Sequence, residues 1–114
     1  MSDNASHITA RALLKAGAFL IRPNAPFRLT SGLLAPIYIN CRLILGHARA
    51  RADIADALAA DVAKQGADII AGGVTAGVPF ATLGADRLVL PLTYVRPQPK
   101  SHGTGGQIEG AEVA

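Results

Sequence analysis

Between an apolar run, Asp68-Ile-Ile-Ala71, and a helical stretch that begins near Pro79 stands the segment Gly72-Gly-Val-Thr-Ala-Gly77. What flanks this turn limits the architecture more than any other feature of the chain. Before it, residues 47–65 place Ile54, Ala55, Leu58, Ala59 and Val62 on one helical face, with Asp53, Asp56, Asp61 and Lys64 elsewhere. Gly66 fits the left-handed position just past that helix. After the turn, a helix from about Pro79 to Arg87 leads through Leu88-Val-Leu-Pro91 to an apolar strand over Leu92 to Val95. Pro79 suits a first helical turn, where its missing N–H would find no partner anyway. The order helix, strand, glycine turn, helix, strand predicts an α/β protein with a parallel βαβ core and right-handed crossovers.

Upstream, Ser6 is placed to cap a helix running to about Ala16, with Ile8, Ala12 and Leu13 on its apolar face. Gly17 interrupts it, and Ala18 to Ile21 reads as a short strand. A turn at Pro23-Asn-Ala-Pro26 and a second strand at Phe27 to Thr30 suggest a hairpin between the two. Ser31-Gly32 breaks the pattern, and Pro36-Ile-Tyr-Ile-Asn40 alternates as a further strand ending at Cys41-Arg42.

Composition narrows the function. The 114 residues make one domain at most, half apolar but only 4% aromatic, so the core must be built from Ala, Val, Leu and Ile. The net charge of +3 is mild, and no basic run is interleaved with aromatics, which argues against a nucleic-acid partner. No stretch approaches the roughly 20 apolar residues that span a bilayer, so no membrane partner is expected. The polar N-terminus lacks a signal-peptide pattern and the single Cys41 forms no internal disulfide, which predicts a cytoplasmic protein without a cysteine-based zinc site.

Chemistry concentrates in two loops. After Tyr94-Val-Arg96 the apolar residues stop, and two prolines, four glycines, Lys100 and His102 follow within fourteen positions. Proline denies ladder hydrogen bonds and glycine multiplies backbone states, so Pro97 to Gly106 reads as a mobile loop. Arg96, Lys100 and His102 meet no acidic residue before Glu109, which suits closure over a phosphate or pyrophosphate. A solvated loop with incidental charge shares that composition. In the Gly72–Gly77 turn, backbone N–H groups and a helix start offer a second anion site, with the Thr75 hydroxyl beside them. The turn lacks a P-loop lysine and the spacing of a dinucleotide fingerprint, and tight βα turns need glycine for geometry alone. Both loops follow strand carboxyl ends, where ligands of open α/β sheets gather, so one site can draw on both.

The detail of these stretches goes further. Lys100-Ser-His-Gly-Thr-Gly-Gly-Gln-Ile-Glu-Gly110 after Tyr94-Val-Arg96 resembles the catalytic loop of orotate phosphoribosyltransferases. Phe27-Arg-Leu-Thr-Ser-Gly32 with Pro36-Ile-Tyr-Ile-Asn-Cys-Arg42 resembles that family's N-terminal substrate-covering segment. Ala71 to Ala81 resembles its pyrophosphate turn, and Leu90-Pro91-Leu92 matches as well. The resemblance runs from Ala12 to Gly110. It implies an incomplete type I phosphoribosyltransferase-like fold: an N-terminal helix and small β hood over residues 1–45, then the first part of the α/β core over residues 46–114. It also implies transfer of a phosphoribosyl group from phosphoribosyl pyrophosphate to orotate in pyrimidine (UMP) biosynthesis, with Mg²⁺ bound through the donor. Lys100 and His102 would be catalytic, and Arg96, Lys100 and His102 would meet the pyrophosphate, with Thr75, Ala76 and Gly77 as backbone donors. His102 would either hold a pyrophosphate oxygen or carry a proton. Thr30, Ser31, Gly32 and Tyr38 would lie on the orotate side. A homodimer is implied, with the loop cations acting in trans.

The departures are specific. Thr30 stands where many relatives carry lysine, and Asn40 and Ala35 replace a frequent aspartate and serine. The adjacent acidic pair and Thr-Thr-Gly-Gly-like loop that hold the ribose 5-phosphate in the family do not occur in the 114 residues. The expectation is therefore a truncated form, inactive alone. The alternative is a non-catalytic remnant that binds a phosphate ligand or a full-length homologue.

Overall fold

The computed structural model describes residues 3–99 and 106–112. They form two compact units, with the division after Ile54, inside a long helix.

In the first unit, α1 (Asp3–Lys15) opens three residues before Ser6, so Ser6 is an exposed helical residue and not the cap. Ala12 is fully buried, and Gly17 (φ +67°) closes the helix, with Ala18 N–H donating to Leu13 C=O at 2.9 Å.

Four short strands follow: β1 (Phe19–Ile21), β2 (Phe27–Arg28), β3 (Leu34–Ala35) and β4 (Ile37–Ile39). The hairpin expected between the first two does not form. Instead β2 pairs antiparallel with β3, Phe27 opposite Ala35, and β1 pairs antiparallel with β4, Leu20 opposite Tyr38. The reason lies in the connections. Leu29 N–H donates to Leu33 C=O at 2.8 Å and Gly32 N–H to Leu29 C=O at 2.9 Å, a tight turn that needs Gly32 at φ +91°. The Pro23–Pro26 segment has two residues that cannot donate a ladder bond, and it becomes the wider connection between the nested pairs. Arg22 N–H to Pro36 C=O and Asn40 N–H to Ala18 C=O extend the outer ladder at both ends.

A 3₁₀ helix (Cys41–Gly46) then leads to α2 (Ala48–Gln65). The long helix begins at Ala48 because the His47 imidazole caps it: Nδ1 accepts the Ala50 N–H at 3.1 Å. His47→Ala should lower unfolding stability by about 1 kcal/mol, whereas His47→Asn restores an acceptor and should recover most of it. Urea titration of the two variants checks this.

The second unit is the parallel βαβ arrangement anticipated above. It contains β5 (Ile70–Gly73), α3 (Gly77–Leu88), β6 (Leu92–Val95) and β7 (Ile108–Gly110), with strand order β5-β6-β7. Strands β5 and β6 are parallel, Ile70 opposite Leu92 and Gly73 opposite Val95. In the part of α2 that belongs to this unit, Ala55, Ala57 and Ala59 are buried, small side chains in an aromatic-poor core. Gly66 takes φ +68° at the end of α2. Gly72 and Gly73 belong to the strand, Gly77 is the first residue of α3, and the turn itself is only Val74–Ala76, where the Val74–Thr75 peptide is cis.

Strand β7 was not anticipated. It runs antiparallel to β6, Tyr94 opposite Glu109, and buried Thr93 donates its hydroxyl to Glu109 C=O at 2.7 Å. Gly110 allows this approach, since a Cβ there would lie 2.5 Å from Leu92 C=O and the residue has φ +101°. Gly110→Ala should therefore cost about 1–3 kcal/mol. Hydrogen exchange at Val95 and Ile108 should report the β6–β7 pair loosening before the β5–β6 pair.

Candidate functional site

Parallel pairing puts the carboxyl ends of β5 and β6 side by side. Val74 N–H donates to Val95 C=O at 2.9 Å, which ties the start of the turn to the residue before Arg96. Past that bond the turn is exposed at Thr75, Ala76 and Gly77. Among the described residues, the N–H groups of these three donate to no backbone carbonyl. They stand where the twelve-residue α3 begins, so its positive dipole end adds to their partial charges. Glycine at 72 lets α3 start this close to β5: a Cβ there would sit 2.8 Å from Ala81 Cβ and 2.9 Å from Gly77 C=O.

Arg96 leaves β6 directly beside the turn. Its N–H donates to Gln107 C=O at 2.8 Å, and Gln107 Nε2 donates back to Arg96 C=O at 3.0 Å. The Arg96–Gln107 pair thus continues the antiparallel β6–β7 ladder by one step past Val95 and Ile108. The Arg96 Nε is buried without a hydrogen-bond partner among the described residues, a donor suited to an anion. Lys100 and His102 lie outside the described residues. The structure therefore brings Arg96, Thr75, Ala76 and Gly77 to one sheet end. Gln107 was missed in the sequence, because nothing in its local pattern marks a strand that returns.

The residues read as orotate-facing lie in the first unit. Thr30, Ser31 and Gly32 form the β2–β3 turn and Tyr38 sits in β4, all of them exposed. Ser31 and Gly32 have a turn-building part: Ser31 Oγ accepts the Leu33 N–H at 3.4 Å, and Gly32 supplies the left-handed backbone. Thr30 and Tyr38 line a cavity of about 360 Å³ together with Arg22, Phe27 and Arg28. Arg22 and Arg28 escaped the sequence reading, since they are single cations on separate strand ends that only the nested pairing brings together.

The β5 turn, the antiparallel β6–β7 pair and the small antiparallel hood make the fold that of part of a type I phosphoribosyltransferase, and solved structures agree. An orotate phosphoribosyltransferase from Aeropyrum pernix superposes with a TM-score of 0.70 at 38% identity, over 88% of this chain and 56% of its own. A Leishmania donovani UMP synthase gives 0.73 at 26% identity, over 98% of this chain and 23% of its own. No protein-family model matches the chain. By sequence the chain is a relative of the orotate phosphoribosyltransferases. It is 45% identical over 112 residues to that of Cereibacter sphaeroides (strain ATCC 17025), covering 95% of this chain and 48% of the relative. With that of Bacillus subtilis (strain 168) it shares 48% identity over 106 residues, 91% of this chain and 49% of the relative. The chain spans about half the length of the curated relatives it matches.

Proposed function

We propose that this chain is the pyrophosphate-handling part of an orotate phosphoribosyltransferase, acting in pyrimidine biosynthesis in the cytoplasm. The observation that carries the proposal is the trio of N–H groups at Thr75–Gly77 that donate to no carbonyl among the described residues, tied through Val74 to the end of β6 beside Arg96. As the bond between the donor's ribose C1 and the pyrophosphate lengthens, negative charge grows on the departing oxygens. Fixed donors placed around that charge stabilise the transition state more than the ground state. Thr75, Ala76 and Gly77 would supply the neutral donors, Arg96 and Lys100 the cations. His102 would either hold a pyrophosphate oxygen or carry a proton. Orotate would sit against the hood at Thr30, Ser31, Gly32 and Tyr38.

The described residues include no group of three or more His, Cys, Asp or Glu able to hold a metal. Mg²⁺ would enter as a complex with the donor's own phosphate oxygens and offset their charge. In the proposed homodimer, loop cations of one subunit would serve the other's site. No helix among the described residues is long and apolar enough to cross a membrane.

Contacts to the ribose 5-phosphate are assigned to the part of the relatives that this chain does not span. The 114 residues alone should then consume no orotate. Joined to the unmatched half of the Bacillus subtilis relative, they should show donor-dependent orotate loss with equal pyrophosphate release. Orotate loss by the 114 residues alone, abolished by Lys100→Ala, would overturn this division of labour. A folded but inactive joined protein would overturn the enzymatic reading and favour a phosphate-binding remnant.

A further inference from the structure

Strand β5 has one open edge. In the order β5-β6-β7 it pairs with β6 alone, and the Ile70 and Val74 N–H groups donate to that side, at Pro91 C=O (3.0 Å) and Val95 C=O (2.9 Å). Backbone direction alternates along a strand, so the N–H and C=O groups of Ala71 and Gly73 point the other way, where no strand is paired among the described residues. An exposed edge is normally blunted by charge, proline or a bulge. Ile70-Ala-Gly-Gly73 carries no charge and no proline, its register with β6 is unbroken, and Ala71 and Gly73 are exposed. The same strand lines a cleft of about 240 Å³ with Leu58 and Val62 of α2 and Phe80, Ala81 and Gly84 of α3. Leu58, Val62 and Phe80 are only half-buried there. Unpaired backbone and incompletely covered apolar side chains therefore occur together on one strand.

We infer that the open edge of β5 receives an apolar strand from a second polypeptide, the counterpart of the half of the relatives that this chain does not span, and that the two chains assemble without a covalent link. The Cereibacter sphaeroides relative matches over 48% of its length, so it carries about as much chain again. An added strand gains backbone hydrogen bonds at Ala71 and Gly73, and no side chain stands in its way at position 73, where a Cβ would meet nothing within 4 Å. Alternate side chains of that strand would cover the cleft between α2 and α3. A charged strand would bury its charge against Leu58, Val62 and Phe80, so the partner strand is apolar. A second copy of this chain fits less well, because its own β5 offers Ile70 as the single large side chain. Assembly of this kind depends on strand pairing and apolar burial, not on the chemistry proposed for the turn after β5.

Co-expression of this chain with the unmatched half of the Bacillus subtilis relative, as two separate polypeptides, tests the inference. The two should co-purify as an equimolar complex, and hydrogen exchange at the Ala71 and Gly73 amides should slow by roughly tenfold or more on assembly. Ala71→Pro removes an N–H that β6 does not use, and proline is tolerated on an edge strand but not inside a sheet. The variant chain alone should therefore melt close to wild type, while its yield of complex falls by roughly tenfold or more. Val62→Lys alters the cleft, leaves the β5 backbone alone and should weaken assembly in the same direction, since its charge would be buried. Chains that fail to co-purify overturn the inference, as does a complex whose Ala71 and Gly73 amides exchange as fast as in this chain alone. Self-association of this chain in place of the complex, abolished by Ala71→Pro, overturns the choice of partner in favour of a second copy. A complex that forms as described but consumes no orotate counts against the proposed function and leaves the inference standing. An active joined protein whose halves do not assemble when separate does the reverse.

Discussion

Lys100→Ala, made in the chain joined to the unmatched half of a relative, is expected to lower the rate of orotidine 5′-phosphate formation by roughly 10²–10³-fold. Pyrophosphate leaves as a polyanion, and three backbone N–H groups at Thr75–Gly77 can share only part of that charge. A lysine ammonium at position 100 would neutralise more of it at the moment the bond breaks, when the benefit is greatest. Lysine is also the residue type that can follow the departing group, being a point charge on a flexible stem. Lys100→Arg should retain much of the rate, since the charge remains. Steady-state kinetics should place the loss mainly in kcat. Equal rates for wild type and Lys100→Ala would remove Lys100 from the chemistry.

The second large effect is on folding. Gly72→Ala should destabilise the second unit by about 3 kcal/mol, on the scale of an overpacked core. Of the three atoms its Cβ would strike, two are backbone: Gly77 C=O at 2.9 Å and Val78 Cα at 3.1 Å. Relief would have to displace the start of α3, the segment that aims the Thr75–Gly77 donors. Pyrophosphate affinity should therefore fall together with stability. The third atom is Ala81 Cβ at 2.8 Å, so adding Ala81→Gly should recover only part of the loss. Gly73→Ala is the control: a Cβ there meets nothing within 4 Å, and the cost should stay below about 1 kcal/mol. Thermal unfolding should show Gly72→Ala melting on the order of 10 °C lower, with Gly73→Ala near wild type.

How much of this was legible in the sequence depended on how local each signal was. Helix α2 carries its apolar face and its terminal glycine within one stretch, and the βαβ order followed from it. The Gly72–Gly77 segment reads in the sequence as one glycine-rich turn, but three of its residues are strand or helix. Glycine marks a close approach as readily as a turn, and only the position of Ala81 reveals that Gly72 serves packing. The hood was misread for a related reason. Proline-bounded Pro23–Pro26 looks like the stronger turn, yet the shorter Leu29–Leu33 hydrogen-bonded turn decides the pairing. Strand β7 is three residues long with glycine at its end, and its partner lies across a loop, so no periodicity announces it. The residues proposed to face pyrophosphate stand out locally in the sequence, because helix starts and glycine turns suit anions. Arg22 and Arg28 do not, because their shared cavity exists only through nested long-range pairing.

The central claim is that the turn after β5 and the loop after β6 hold one pyrophosphate between them. Calorimetric titration of magnesium pyrophosphate into the protein tests it most directly, comparing wild type with Lys100→Ala, Arg96→Gln and Gly72→Ala. The expected result is a single site in the wild type, weakened about tenfold or more by each loop-cation change and also by Gly72→Ala, which never touches the ligand. A wild type that takes up no pyrophosphate, or an affinity unmoved by all three substitutions, would contradict it.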